Sequence, residues 1–214
     1  MFEWMSEHPE DLCHFNRYMT LSRQLSKRSW LDVYPVAAEA ADWPAEQPLF
    51  VDAGGALGHQ CAKFKEEYPN LSGRVVLQDL PHTIQRALCT PGVENMVHDL
   101  FDPQPIIGAK FYYLGRVLHD LPVHRVRRML EMTKQAMGPS SRLLIDEMVI
   151  PEVGVSEKAA ARDWTVGSCL ASKERTEAEW REVLEEVGLD LVHTYIYIPT
   201  TYESVMDVRL RETV

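Results

Sequence analysis

Short apolar segments alternate with amphipathic ones from Pro48 to the end of the chain, and this alternation predicts strands alternating with helices. The segments predicted as strands are LFVDAGG, RVVLQDL, VENMVHDLF, KFYYLGRVLHD and RLLIDEMVIP. The segments predicted as helices are HQCAKFKEEY, a stretch that begins near His82, VHRVRRMLEMTKQAM and ERTEAEWREVLEEVG. LDLVHTYIYI and YESVMDVRL are typical of a final antiparallel pair. We therefore predict an α/β fold with a doubly wound, Rossmann-like, mostly parallel sheet and a C-terminal antiparallel strand pair.

The first 47 residues follow a different pattern. Aromatic and apolar residues occur there at helical spacing, namely Leu12, Phe15, Tyr18 and Met19, and the Pro- and Ala-rich segment PVAAEAADWPAEQP then indicates a boundary. We predict a short N-terminal helical leader over residues 1–47, lying on a ligand-binding catalytic domain over residues 48–214.

Charge and cysteine content exclude several classes of protein. The 214 residues carry a formal net charge of -10, which argues against nucleic acid because phosphate binding needs clustered Lys and Arg. No run approaches the roughly 20 apolar residues of a membrane span, and the N-terminal sequence does not have the pattern of a signal peptide. The four cysteines are scattered without a CxxC pair, so neither a zinc site nor a disulfide framework is predicted. We expect a cytoplasmic protein without nucleic-acid or membrane partners.

Glycines and carboxylates follow the first three predicted strands. VDAGGALGH, which contains Gly54, allows a tight turn and close approach of a ligand to the backbone at a helix N-terminus. Asp79 ends the second strand, where an acidic residue can accept hydrogen bonds from both ribose hydroxyls. Asp99 and Leu100 end the third strand and supply a carboxylate and an apolar surface at the same edge. These features predict an adenosine-containing ligand, but they do not separate NAD from S-adenosylmethionine.

A histidine and two acids form a candidate catalytic group. His119 lies at the end of the fourth predicted strand, Glu147 at the end of the fifth, and Glu174 precedes the capping box of the last helix. Taken singly, the histidine could be a hydrogen-bonded structural residue, and each acid could be a solvated surface residue. Together they suggest a general base with orienting acids, since an imidazole pKa lies near neutrality and a carboxylate on the second ring nitrogen fixes its tautomer.

The ordered set of motifs resembles the fungal and plant O-methyltransferases that modify phenolic and polyketide hydroxyls. FEWMSEHPEDLCHFNRYM is similar to the helical segment before the family's cofactor domain, VDAGGALGH to its glycine motif, LQDLPHTI to its ribose-binding motif and VHDLFDPQP to its adenine-side motif. VLHDLP is similar to the His-Asp catalytic motif and KERTEAEW to the late motif. The resemblance covers nearly the whole chain. It implies a class I methyltransferase fold and transfer of the methyl group of S-adenosylmethionine to a hydroxylated small molecule of secondary metabolism.

The resemblance also implies roles for individual residues. It makes His119 the general base flanked by the carboxylates of Glu147 and Glu174, and it implies no metal. Cofactor contacts are implied for Gly54, Asp79, Leu80, Asp99, Leu100 and Arg116.

Three positions depart from the family pattern. Ala56 stands where a third consecutive glycine is usual, so a methyl group is expected near the cofactor. Gly115 stands where the family places Arg or Lys, and Arg116 is one residue late, on the opposite face of a regular strand. Leu121 replaces the tryptophan that usually follows the His-Asp pair.

Full-length relatives carry an N-terminal dimerisation domain that helps to close the acceptor pocket. We therefore expect a homodimer or a separate N-terminal domain as partner, and we consider Met19 and Trp164 as pocket residues or as core residues. Two alternatives to methyl transfer remain: a methyltransferase-like pericyclase or isomerase that binds S-adenosylmethionine, and a catalytically silent binding module. An NAD dehydrogenase is the weakest hypothesis, because nothing in the sequence accounts for a hydride acceptor.

Overall fold

The computed structural model describes residues 28–212 together with positions 4, 7, 8, 10, 11, 13, 14 and 17. The apolar positions that predict the leader helix, Leu12, Phe15, Tyr18 and Met19, lie outside the described residues. Among the described residues, no helix has the length and apolarity that crossing a membrane requires.

Eight strands form a single mixed sheet within the described part of the chain. Their bounds are β1 Pro48–Ala53, β2 Arg74–Asp79, β3 Val93–Val97, β4 Phe111–Gly115, β5 Arg142–Ile150, β6 Arg175–Thr176, β7 Leu189–Ile198 and β8 Glu203–Leu210. The order across the sheet is β3-β2-β1-β4-β5-β8-β7, and the short β6 pairs with β5 away from this path. Neighbours from β3 to β5 run parallel, whereas β8 pairs antiparallel with β5 and β7. The predicted fold class is confirmed.

In the described part of the chain, six α-helices and two 3-10 turns precede or connect these strands. The helices are α1 Val36–Glu39, α2 His59–Glu67, α3 Pro81–Ile84, α4 Val123–Ala136, α5 Glu157–Leu170 and α6 Glu177–Glu186. The 3-10 turns are Trp30–Asp32 and Leu118–Asp120. From β1 the chain builds outward through β2 to β3, then returns to add β4 on the other side of β1. This reversal creates a crevice at the carboxyl ends of β1 and β4, the usual ligand position in open α/β sheets.

Successive residues of the central strands alternate between two buried faces, as the strand period of two requires. In β4, Tyr112 and Leu114 belong to one core cluster, whereas Phe111 and Tyr113 belong to the other. The first cluster is completed by the apolar stripes of α4 and α6, including Trp180. Parallel strands buried on both faces read as continuous apolar runs, and this is why the sequence pattern located them.

The α6 N-terminus confirms the predicted capping box. The Thr176 hydroxyl accepts the Glu179 backbone N–H, and the Glu179 carboxylate accepts the Thr176 N–H at 2.9 Å. Two other elements differ from prediction. The strand predicted through residue 120 ends at Gly115, so His119 lies on a 3-10 turn. The sequence pattern also missed α5, because its apolar residues form no continuous stripe: among the residues of this helix only Ala159 and Val166 are buried.

The second core cluster extends into the segment before β1. The Trp30 ring is 1% exposed, and its centroid lies 5.0 Å from that of Tyr113 and 5.9 Å from that of Phe50. Val36 is fully buried in the same cluster. Residues 30–36 therefore complete the core on this face of the sheet, and the division of the chain near residue 47 stays a prediction.

Replacing Trp30 by alanine is expected to lower the free energy of unfolding by about 3–5 kcal/mol, because a large buried ring leaves a cavity against the central strands. Urea unfolding followed by far-ultraviolet circular dichroism measures this loss. Trp164→Ala serves as the control, since that ring is 80% exposed and its loss should change stability by less than about 0.5 kcal/mol. Equal effects of the two substitutions would contradict the assignment of Trp30 to the core.

Candidate functional site

The glycine turn after β1 is tied to the neighbouring strand. Gly54 and Gly55 donate their N–H groups to the Gln78 carbonyl at 2.8 and 3.2 Å. Gly54 has φ +75°, and a Cβ built there would lie 3.0 Å from Leu100 Cδ1 and 3.1 Å from Val117 Cγ2. The missing side chain leaves a narrow space between the loops that follow β3 and β4. The structure thus brings Gly54, Leu100 and the segment that leads to His119 together at the carboxyl edge of the sheet.

Asp79 at the end of β2 braces this turn. Its Oδ2 accepts the Ala56 N–H at 2.9 Å and its Oδ1 accepts the Leu80 N–H at 2.7 Å. The side chain of Leu80 is 40% exposed, and Asp99 lies exposed beyond β3, where its Oδ1 accepts the Phe101 N–H at 2.9 Å. Direct contact of these residues with a cofactor remains a prediction.

The departures at positions 115 and 116 have a local explanation. A Cβ at Gly115 would lie 2.6 Å from the Tyr113 ring, so the glycine makes room for that ring. The Tyr113 hydroxyl donates to the buried Asp146 carboxylate, whose other oxygen accepts the Tyr197 hydroxyl at 2.7 Å. Arg116 has φ +57° and its guanidinium contacts Glu203 at 3.3 Å. The Arg116 guanidinium is therefore already paired with a carboxylate, and its contact with a cofactor stays a prediction.

Glu147 holds the turn that carries His119. Its Oε1 accepts the backbone N–H groups of Val117, Leu118 and His119 at 3.0, 2.9 and 3.3 Å. The side chain is fully buried. A carboxylate with three backbone donors replaces the sheet hydrogen bonds that these N–H groups would otherwise make, and this explains why the strand ends early. Glu147 therefore acts first on the backbone of the turn, and its Oε2 lies 3.7 Å from His119 Nδ1.

The His119 ring lies between two further carboxylates. Its Nδ1 is 2.9 Å from Glu174 Oε1, and its Nε2 is 3.3 Å from Asp120 Oδ1. Bonding at Nδ1 places the ring proton there when the imidazole is neutral, which leaves the Nε2 lone pair able to accept a proton. The three predicted residues His119, Glu147 and Glu174 are thus brought together, while their catalytic roles stay predictions.

Burial and the carboxylates oppose each other at the imidazole. Burial lowers the pKa of His119, but the negative charges of Glu147, Glu174 and Asp120 outweigh it and raise the pKa to about 9. Burial raises the pKa of Glu147 to about 7, despite the attraction of His119. The site therefore favours an imidazolium at neutral pH until another positive charge comes near it.

Sequence reasoning missed four residues of this site. Asp120 stands in the His-Asp motif but was given no role, because neighbouring side chains of a strand point to opposite faces, whereas a 3-10 turn lets them meet. Arg175 donates from its guanidinium to the carbonyls of Leu118 and Leu121 at 3.2 and 3.1 Å. Arg162 and Asp163 of α5 contact Glu174. Their only signal in the sequence was the charged pair within a segment that gave no helix prediction.

Donor atoms of His119, Glu147 and Glu174 lie within 4.8 Å of one another, a spacing that a metal ion can bridge. Methyl transfer from a sulfonium needs no metal, since the methyl group is already activated. The expectation that no metal takes part stays a prediction.

Trp164 was considered as a pocket residue or as a core residue. The structure places it at the surface, so the core interpretation is wrong.

Glycine is usual at position 56 in the family pattern, and Ala56 has φ +52°. Because left-handed backbone is strained for any residue with a Cβ, Ala56→Gly is expected to raise the free energy of unfolding by about 0.5–1 kcal/mol. Thermal unfolding measures the change. Ala160→Gly, at an exposed position inside α5, should instead lower stability by about 1 kcal/mol, and a loss at both positions would contradict the strain.

Comparison with known proteins gives a consistent set of relatives. A model of the O-methyltransferase domain matches residues 1–190. Demethylsterigmatocystin 6-O-methyltransferase of Aspergillus parasiticus is 43% identical over 198 residues, which are 92% of this chain and 50% of that protein. The enzyme of the same description from Emericella nidulans, stcP, is 40% identical over 194 residues, 90% of this chain and 94% of that protein.

Two solved structures are also similar. One is described as a pericyclic reaction enzyme, with a TM-score of 0.92 and 37% identity over 99% of this chain and 55% of that one. The other is LepI in complex with S-adenosylmethionine, with a TM-score of 0.84 and 39% identity over 87% of this chain and 49% of that one. The chain thus spans about half the length of most of these relatives and nearly all of one.

Proposed function

The chain belongs to the O-methyltransferase domain family, and we propose that it transfers a methyl group from S-adenosylmethionine to a hydroxyl of a small aromatic or polyketide-type metabolite. The single observation that carries this proposal is the position of His119, with Nδ1 bonded to the buried Glu174 and Nε2 at the opposite side of the ring. That arrangement suits a general base.

The crevice residues fit the cofactor. The space that a Cβ at Gly54 would fill lies between Leu100 and Val117, and Asp79 places a carboxylate beside the same turn. Gly54, Asp79, Leu80, Asp99, Leu100 and Arg116 are the proposed contacts. When bound, S-adenosylmethionine supplies a methyl group on a positively charged sulfur, which is already a good leaving group.

His119 has one task in this mechanism, to accept the proton of the acceptor hydroxyl through Nε2. Glu174 keeps the ring proton on Nδ1 and stabilises the imidazolium that forms. Asp120 Oδ1 lies 3.3 Å from Nε2, the same nitrogen that the acceptor hydroxyl would approach. The Asp120 carboxylate therefore also helps to orient the ring. Glu147 fixes the backbone, and correct positioning of the hydroxyl supplies the rest of the rate.

The relative described as a pericyclic reaction enzyme supports a second candidate, catalysis of a rearrangement with S-adenosylmethionine bound but unchanged. The charged group at His119 would then stabilise charge in the substrate rather than accept a proton. Product mass separates the two candidates, because only transfer adds a methyl group. A silent binding module would give neither a methylated nor a rearranged product.

The activity and partners of the whole protein are also proposals, since most of the matching relatives are about twice as long. A homodimer, or a separate N-terminal domain, would cover the acceptor side of the crevice. The acceptor is proposed as a hydroxylated small molecule, without nucleic acid or membrane as partner.

His119→Ala is expected to lower turnover with labelled S-adenosylmethionine and phenolic acceptors by about 10²–10⁴-fold, because the proton acceptor is lost. Cofactor affinity, measured by calorimetric titration, should stay within a few fold, since the base acts on the acceptor. His124→Ala is the control, because that histidine is exposed on α4. Near-normal turnover of the His119 variant would reject the mechanism.

Cofactor binding is expected to release a proton from His119. The pKa of about 9 keeps the imidazole protonated at pH 8, and a sulfonium close enough for transfer to the acceptor would lower it by repulsion. Calorimetry in buffers of different ionisation enthalpy counts the proton. S-adenosylhomocysteine, which lacks the sulfonium charge, should release less, and His119→Ala should remove the difference. Equal proton counts for the two ligands would show that His119 does not sense the cofactor.

A further inference from the structure

Helix α5 is attached to the body of the protein by few apolar contacts. Of its residues only Ala159 and Val166 are buried, and Trp164 in its middle is 80% exposed. Its polar side, by contrast, makes specific contacts with the residues around His119. What the helix contributes to the fold is therefore mainly polar, and these contacts converge on Glu174.

Two consecutive residues of α5 hold Glu174 at different points. Asp163 Oδ1 accepts the Glu174 backbone N–H at 2.7 Å. Arg162 Nε lies 3.3 Å from Glu174 Oε1, the same oxygen that is 2.9 Å from His119 Nδ1. One carboxylate oxygen therefore lies between the imidazole and the guanidinium, so the position of the helix determines where that oxygen lies.

Arg162 is itself fixed from the sheet. Its Nη1 donates to Glu203 Oε1 at 2.8 Å, and Glu203 also contacts Arg116 at 3.3 Å. The Glu203 side chain is only 6% exposed, whereas that of Arg162 is 32% exposed. A guanidinium can contact two carboxylates at once in a fixed geometry, which an ammonium does less well. The bridge thus joins α5, β8 and the loop before β6.

Several carboxylates surround one imidazole here, and buried carboxylates repel one another unless cations are near. Glu174 needs such a cation more than most, because its side chain is fully buried and its Oε2 has no hydrogen-bond partner among the described residues. The charged groups around His119 are Asp120 on its own turn, Glu147 on β5, Glu174 before β6, Arg175 on β6 and, through Glu174, Arg162 on α5.

We propose that Arg162 is a positioning residue that fixes the side chain of Glu174 against Nδ1 of His119 and so links helix α5 to the proposed base. This inference rests on the proposed function for its effect on catalysis, but the contact itself does not. Arg175 acts differently, since it bonds the backbone of the turn and leaves the ring untouched.

Loss of the Arg162 charge has a definite sign. Glu174 stays bonded through its backbone to Asp163, and the glutamine amide can still bond its Oε1, so Arg162→Gln removes the charge alone. Losing a nearby cation should raise the pKa of His119 by about 0.5–1 unit. It should also lower kcat by ~10-fold with little change in KM for the cofactor, because the ring is less well oriented. A purely structural role of Arg162 would lower activity without moving the titration of His119.

The titration is measured by NMR of ring ¹³Cε1–H and ¹⁵N signals of the 214-residue protein without cofactor or acceptor, with His119 assigned by its loss in His119→Gln. Lys158→Gln removes a charge one turn earlier on α5, from an exposed residue, and should move the His119 titration by less than about 0.2 unit. Arg162→Lys keeps the charge that acts on the imidazole, so it should leave the titration within about 0.2 unit of the unaltered protein, even though an ammonium contacts the two carboxylates less well.

An unchanged titration in folded Arg162→Gln, or an equal shift in the Lys158 variant, would overturn the proposal. Should Arg162→Gln fail to fold, a shift of half a unit or more in Arg162→Lys would overturn it as well. The titration needs no turnover, so a shift in a protein that transfers no methyl group would keep the Arg162 link and reject the proposed function. Methyl transfer by the unaltered protein, together with an unshifted His119 titration in Arg162→Gln, would keep the proposed function and reject the Arg162 link.

Discussion

The Glu147 carboxylate, buried within β5, accepts three backbone N–H groups of the turn between β4 and α4. An ionised acid in the interior is costly to bury, and three directed donors offset much of that cost. Burial still raises its pKa to about 7, so the balance is close. The rest of the site depends on this interaction, because it ends β4 and turns the chain so that His119 faces the carboxylates of Asp120 and Glu174.

Charge around the imidazole has to be shared among several elements. With carboxylates on both ring nitrogens, His119 is more stable as an imidazolium, and a neutral base requires a competing positive charge. A cationic cofactor is one source of that charge in the proposed reaction. The guanidinium of Arg162 is another, built into the protein and held by Glu203. The isolated site therefore favours the imidazolium, and the proposed proton transfer needs these positive charges to bring the imidazole towards its neutral form.

The fold followed from the sequence more completely than the site did. Buried parallel strands have apolar sequences, and the Thr176–Glu179 capping box is a local sequence pattern, so both were predictable. His119 and Glu147 could be chosen because each lies at the end of a predicted strand at one edge of the sheet, and Glu174 because it precedes a predicted capping box. The early end of β4 could not, since it depends on a tertiary acceptor far along the chain. Helix α5 was missed for a related reason. It is held mainly by polar contacts, and hydrophobic periodicity does not indicate where polar contacts form.

The departure at positions 115 and 116 links these observations. A side chain at position 115 would collide with the ring of Tyr113, which bonds the buried Asp146 together with Tyr197. A basic residue one position later, in the left-handed conformation, avoids that ring and reaches Glu203. Glu203 in turn fixes Arg162, and Arg162 contacts Glu174 beside His119. The displaced arginine therefore still acts on the same edge of the sheet, as the far end of a line of alternating charges that leads to the imidazole.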